Sequence, residues 1–155
     1  SESMSNRTQQ LCTFHVDNLY LGIAVQQVQE VIRHHAITPV PLAQRAVAGL
    51  INLRGQIVTA IDLRERIGLP PRAEGRLPMN VVVRSDDGAV SLLVDSIGDV
   101  IEVTEDNFES PPATLRGPAR ELVEGAYKLP TGLLLVLNTK EAVNTFGQDS
   151  KLVTV

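Results

Sequence analysis

Gly49-Leu50-Ile51-Asn52-Leu53-Arg54-Gly55-Gln56-Ile57-Val58-Thr59-Ala60-Ile61-Asp62 is the stretch that decides how the chain folds. An apolar run leads into Asn52-Leu53-Arg54-Gly55, and a strand carrying Ile57, Ala60 and Ile61 leaves it toward Asp62. Gly55 suits a turn position that needs φ > 0 or a close backbone approach. Such a turn holds the Arg54 side chain outward at a fixed place.

Outward from this hairpin the pattern stays short-stranded. Upstream, Leu11–Val16 and Tyr20–Ala24 predict a hairpin around Asp17-Asn18. Val25, Val28, Val31 and Ile32 are spaced like one face of a short helix, with Gln26, Gln27, Gln29 and Glu30 between them. Ile37-Thr38-Pro39-Val40-Pro41 is extended, because each proline pushes its predecessor out of the α region. Downstream, Leu63–Ile67 forms a short helix closed by Gly68, and the proline- and glycine-rich Gly68–Pro78 is a connector. Met79–Arg84 and Ala89–Val94 predict a second hairpin around Asp86-Asp87-Gly88, continued by Ile97 to Val103. Ser110–Pro118 is a loop, Val123–Leu129 and Leu133–Leu137 are strands, and Thr139–Phe146 is a terminal helix.

The chain repeats itself. Ile23–Ile32 matches Leu92–Ile101 in apolar pattern, with Glu30 answered by Asp99, at a separation of 69. Val47, Gly49, Leu53, Asp62 and Glu65 match Val123, Gly125, Leu129, Asn138 and Glu141 at a separation of 76. The second half therefore carries seven extra residues between its blocks, and Ser110–Pro118 is the natural place for them. Two similar short-stranded halves predict a mainly β protein, two small barrels side by side with short helices. The halves are about 11–67 and 79–146, exchange of strands between them being open, with Ser1–Gln10 as a flexible N-terminus. The connector Gly68–Pro78 is expected at the passage between the barrels, and Val25/Val28 at the same places as Val94/Ile97.

Composition narrows the functions. Aromatics are only 3% of a chain that is 43% hydrophobic, so the core is Val, Ile and Leu, which favour strands. Net charge is −4 with both signs interspersed, which leaves no basic stripe or aromatic platform for nucleic acid. The single Cys12 excludes an internal disulfide and reads as a small buried thiol. Leu133–Leu137 is the longest strictly apolar run, far short of a membrane span, and no signal segment is visible, so a cytoplasmic protein is expected.

Catalytic patterns are missing as well. No nucleophile elbow, Cys-x-x-Cys pair, His-Glu-x-x-His or phosphate-binding Gly-x-x-x-x-Gly-Lys occurs. His34 and His35 are adjacent and point apart in any regular element, so they do not share a metal. Asp86-Asp87 is explained by its glycine turn. No catalytic residue, metal site or cofactor is expected. The opposite charges of Glu30 and Arg54, each beside apolar residues, suit a partner surface better. Exposed ion pairs in general contribute little to folding, whereas a pair desolvated in an interface is costly to break. The second half has Leu129-Pro130-Thr131 where the first has Leu53-Arg54-Gly55, so the turn itself does not require an arginine.

Val28-Gln29-Glu30-Val31, the proline-flanked extended segment, Gly49–Asp62, Leu92–Val100 and Val123-x-Gly125, in this order and spacing, resemble the CheW-like family of chemotaxis coupling proteins. The resemblance covers Leu11–Phe146. It implies two five-stranded SH3-like barrels packed together and a non-catalytic adaptor. Its implied partners are the cytoplasmic tip of a methyl-accepting chemoreceptor and the regulatory domain of the histidine kinase CheA, in arrays at the inner membrane. A pathway with a non-flagellar output is the alternative. On the family's pattern Glu30 and Arg54 match the charged pair near the receptor groove. Val28, Gly49 and Val100 match positions in or beside it, and Gly125 matches a sensitive position of the second barrel with a possible kinase role. The chain departs from the pattern in Gly68–Pro78, whose Arg72 and Arg76 could alter partner choice.

Overall fold

A computed structural model describes residues 7–86 and 88–145. Ten strands dominate: β1 (Thr8–Val16), β2 (Leu19–Ala24), β3 (Val28–Ile32), β4 (Val47–Leu53), β5 (Gln56–Asp62), β6 (Met79–Ser85), β7 (Gly88–Val94), β8 (Ser96–Thr104), β9 (Val123–Leu129) and β10 (Gly132–Leu137). Three short helices, α1 (Leu63–Ile67), α2 (Pro118–Leu122) and α3 (Thr139–Val143), and two 3-10 turns complete the described chain. The strands form two sheets, ordered β8-β1-β2-β10-β9 and β3-β6-β7-β5-β4.

The repeat is visible in this topology. Replacing β1–β5 by β6–β10, and the reverse, converts one sheet order into the other. Both sheets contain one parallel pair, β2 with β10 and β5 with β7. Bulges fall at equivalent places: β4 is bulged between Val47 and Gly49, and β9 between Val123 and Gly125. β3 and β8 are bulged beside Gln29 and Gly98. After β5 and after β10 a short helix begins with the same cap, Asp62 accepting from Arg64 N and Asn138 from Glu141 N. Val25/Val28 and Val94/Ile97 stand where the chain leaves β2 and β7 for the next strand, so their equivalence holds. The extra residues of the second half lie between β8 and β9, where α2 also falls, just after the expected loop Ser110–Pro118.

Four expectations are corrected. Val28–Ile32 is a strand, not a helix face: only Val25–Gln27 makes a 3-10 turn. The bulge at Gln29 breaks the period-two alternation, so apolar residues three apart imitate a helix, while pairing with Val81–Val83 of β6 decides for the sheet. The N-terminal strand starts at Thr8, because Thr8–Gln10 pair with Glu102–Thr104. Gly68–Pro78 does not pass between sheets, since it joins α1 to β6 and both β5 and β6 lie in one sheet. The crossings are at Val25–Gln27 and at Asp95. As a result each of 11–67 and 79–146 contributes strands to both sheets. Finally α3 ends at Val143, and the expected end at Phe146 lies outside the described residues.

Among the described residues, burial forms three clusters. Ile51, Leu53, Val58, Ala60, Val82 and Leu93 fill one barrel, and Leu11, Val103, Tyr127, Leu134 and Val136 the other. A larger cluster of nineteen buried residues, including Phe14, Leu21, Ile23, Val81, Leu92 and Leu135, draws on both sheets. Neither small interior is a sufficient core alone. The shared cluster packs the two barrels against each other.

Candidate partner-binding site

The β4–β5 hairpin closes on a two-residue turn, with Leu53 opposite Gln56. Arg54 has φ 54° and Gly55 φ 86°. Positive φ at both central residues is what a type I′ turn requires, and it matches the twist of the flanking strands. The Asn52 side chain accepts the Gly55 N–H at 2.8 Å. A residue with a Cβ is disfavoured in this left-handed region. The equivalent turn between β9 and β10 has Pro130-Thr131, neither with positive φ. An arginine is thus held at Arg54 against its backbone preference.

Arg54 turns back onto Glu30 as a fork. Nη1 donates to Oε2 at 2.6 Å and Nη2 to Oε1 at 2.5 Å. β3 and β4 are the two edges of their sheet, which a flat sheet would hold about 19 Å apart. The pair therefore spans the seam where that sheet curls into a barrel. The hydrogen bonds from Arg54 lower the Glu30 pKa, and the carboxylate in turn raises that of Arg54, so the pair is ionised at neutral pH. The Arg54 side chain remains 71% exposed, and Ile57 and Val31 near the two ends of the pair in sequence are exposed as well.

The other expected site residues divide. Val28, at the start of β3, packs half-buried against the cluster shared by the barrels. Val100 is exposed on β8, an edge strand of the other sheet. Gly49 and Gly125 are buried and do not reach the surface. Each lies beneath a bridging segment, Thr38 pairing with Leu50 and Glu109 with Ala126. A Cβ on Gly49 would run into the Thr38 carbonyl oxygen, and one on Gly125 into the Phe108 ring and the Glu109 carbonyl. Close backbone approach accounts for both glycines. His34 and His35 lie in the loop between β3 and β4, and no group of His, Cys, Asp and Glu among the described residues could hold a metal ion.

An ionic network was not foreseen. Asp95, at the β7-to-β8 crossing, accepts from Arg64 Nε at 3.0 Å and Nη2 at 2.8 Å, from Arg72 Nε at 2.8 Å and from Asp17 N at 2.6 Å. Arg72 also reaches Asp62, and Arg64 reaches Asp17 and the Pro70 carbonyl. Burial alone would raise the Asp95 pKa, but these donors outweigh it and hold it at about 2. Arg72, expected to be available to partners, is instead folded in, only 12% exposed. The signal in the sequence was an asymmetry of the repeat: Asp95 is answered by Gln26, and Asp62 by Asn138. At the other crossing the contact is neutral, with Thr139 Oγ1 donating to Gln27 Oε1 at 3.0 Å.

Comparison with known proteins agrees with this architecture. Residues 10–146 match the model of the CheW-like domain. The chain is 29% identical over 133 residues to chemotaxis protein CheW of Treponema pallidum, covering 83% of this chain and 78% of that protein. It is 28% identical over 136 residues to the CheW protein of Bacillus subtilis, covering 88% and 87%. The crystal structure of the scaffolding protein TtCheW from Thermoanaerobacter tengcongensis superposes with a TM-score of 0.80 at 26% identity, over 91% of this chain and 96% of that one. With ten strands in two sheets related by an internal repeat, and a match that spans nearly the whole described chain, the protein belongs to the CheW-like family of non-catalytic chemotaxis adaptors.

Proposed function

We propose that this adaptor couples the cytoplasmic tip of a chemoreceptor to the regulatory domain of the histidine kinase CheA, in arrays at the cytoplasmic face of the inner membrane. The observation that carries this reading is Arg54. It occupies a left-handed turn position, whereas the equivalent turn of the repeat has neither positive φ nor an arginine, and it forms a fork with Glu30 while staying mostly exposed. A pair that folding does not need, held in a strained turn, suits recognition. Glu30 and Arg54 form the receptor-facing feature, with half-buried Val28 on the same edge strand as Glu30 and exposed Val100 contributing from an edge strand of the other sheet. Gly49 acts beneath that surface by letting the bridging segment approach. The kinase takes a separate surface, to which Gly125 contributes through its packing under Phe108.

The test is Arg54→Ala, measured against a receptor signalling-tip fragment and the kinase regulatory domain. Receptor affinity falls roughly thirtyfold, kinase affinity changes less than about threefold, and the melting temperature stays close to wild type. Equal loss of both partners would refute the division of surfaces, and a large fall in melting temperature would make Arg54 structural.

A further inference from the structure

The repeat places Asp99 of β8 where β3 has Glu30, and Pro130 where the β4–β5 turn has Arg54. In the first barrel the arginine crosses the seam and neutralises the acid. In the second the arginine is gone and the acid remains. Asp99 is exposed, and among the described residues its carboxylate has no hydrogen-bond or ion-pair partner, the Thr13 hydroxyl binding its backbone carbonyl instead. Beside Asp99 and the β9–β10 turn, the second barrel has an open hollow of about 420 Å³, lined by Asp99, His15, Tyr20, Thr131, Gly132 and Leu133 among others.

The neighbours of the hollow repeat too. Leu133 stands where the first barrel has Ile57, and both are exposed apolar residues at the start of a strand. Val100 and Val31, next in sequence to the two acids, are likewise both exposed. Folding does not call for apolar residues facing water at two equivalent pairs of positions. His15 and Tyr20 stack with ring centroids 4.9 Å apart at one wall. A carboxylate beside stacked rings and an apolar side chain is complementary to a guanidinium, which is planar, donates two parallel hydrogen bonds and packs on aromatic faces.

We infer that this hollow is a docking site for an arginine side chain of a partner protein, next to an apolar residue of that partner, completing from outside the pair that the first barrel makes from within. The inference does not depend on which proteins the adaptor couples, and a peptide titration reads it separately. Isotope-labelled full-length protein is titrated, with amide shifts followed, using the capped tripeptide Leu-Arg-Leu, its lysine analogue and its citrulline analogue, which keeps the shape without the charge. The arginine peptide should give saturable shifts at Asp99, Tyr20 and Thr131–Leu133. The citrulline peptide should bind at least tenfold more weakly, and the lysine peptide more weakly than arginine. Asp99→Asn should remove the response, and so should Pro130→Arg, which returns an arginine to the turn. Asp99 is exposed and its backbone carbonyl is kept, so Asp99→Asn tests the site in a folded protein even if Pro130→Arg does not fold. Equal binding of arginine and citrulline, persistence of binding in Asp99→Asn, lysine equal to arginine, or no saturable shift would each overturn the inference.

Discussion

Replacing Asp95 by asparagine tests whether the ionic network holds the β7-to-β8 crossing. The carboxylate takes four hydrogen bonds, three of them from two arginines that are each 12% exposed. Its pKa falls from 3.8 to about 2, which at face value corresponds to about 2.4 kcal/mol. The side chain is still 21% exposed, and screening by solvent reduces this to about 1–2 kcal/mol. The folded-state pKa lies below the unfolded one, so the stabilisation is fully present above about pH 4 and is lost as pH falls toward 2. Asparagine resembles the protonated acid at every pH. Urea denaturation of both proteins should therefore show a gap of about 1–2 kcal/mol at pH 6 that closes between pH 4 and pH 2. Other carboxylates titrate in both proteins and cancel in the difference. A gap that stays constant down to pH 2, or one below about 0.5 kcal/mol at pH 6, would show that the network does not stabilise the fold.

The remaining predictions concern packing. Gly49→Ala should destabilise the protein by about 2 kcal/mol or more, because the new Cβ meets a backbone carbonyl at φ 152°. Gly125→Ala should destabilise too, because its Cβ meets the Glu109 carbonyl oxygen as well as the Phe108 ring; in both variants calorimetry should show partner binding falling only as far as folding does. Leu42 is fully exposed at φ 62°, so Leu42→Asn should stabilise by about 0.5–1 kcal/mol in denaturant titrations. Burial raises the pKa of the Cys12 thiol, so iodoacetamide should label it at least tenfold more slowly in native buffer than in urea.

Much of the architecture was legible before any coordinates. Strands and turns are local events, and Asn52–Gly55 and Asp17-Asn18 announce themselves through residues whose backbone preferences are their own. The two separations of 69 and 76 disclosed the repeat, because equivalent strands bury equivalent positions. The opposite charges of Glu30 and Arg54 were visible as well. That they form a fork across a barrel seam was not, since 24 residues separate them and only curling of the sheet brings its edges together. Long-range pairing also decided Val28–Ile32, where a bulge hid the strand period and β6 supplied the hydrogen bonds that chose strand over helix. The same cause placed Asp95 among Arg64 and Arg72, and turned Gly49 and Gly125 from surface candidates into buried contacts. Sequence specifies which residues can turn, extend or carry charge. Which of them meet is decided by the sheets, because closure and crossing join residues that the chain itself keeps far apart.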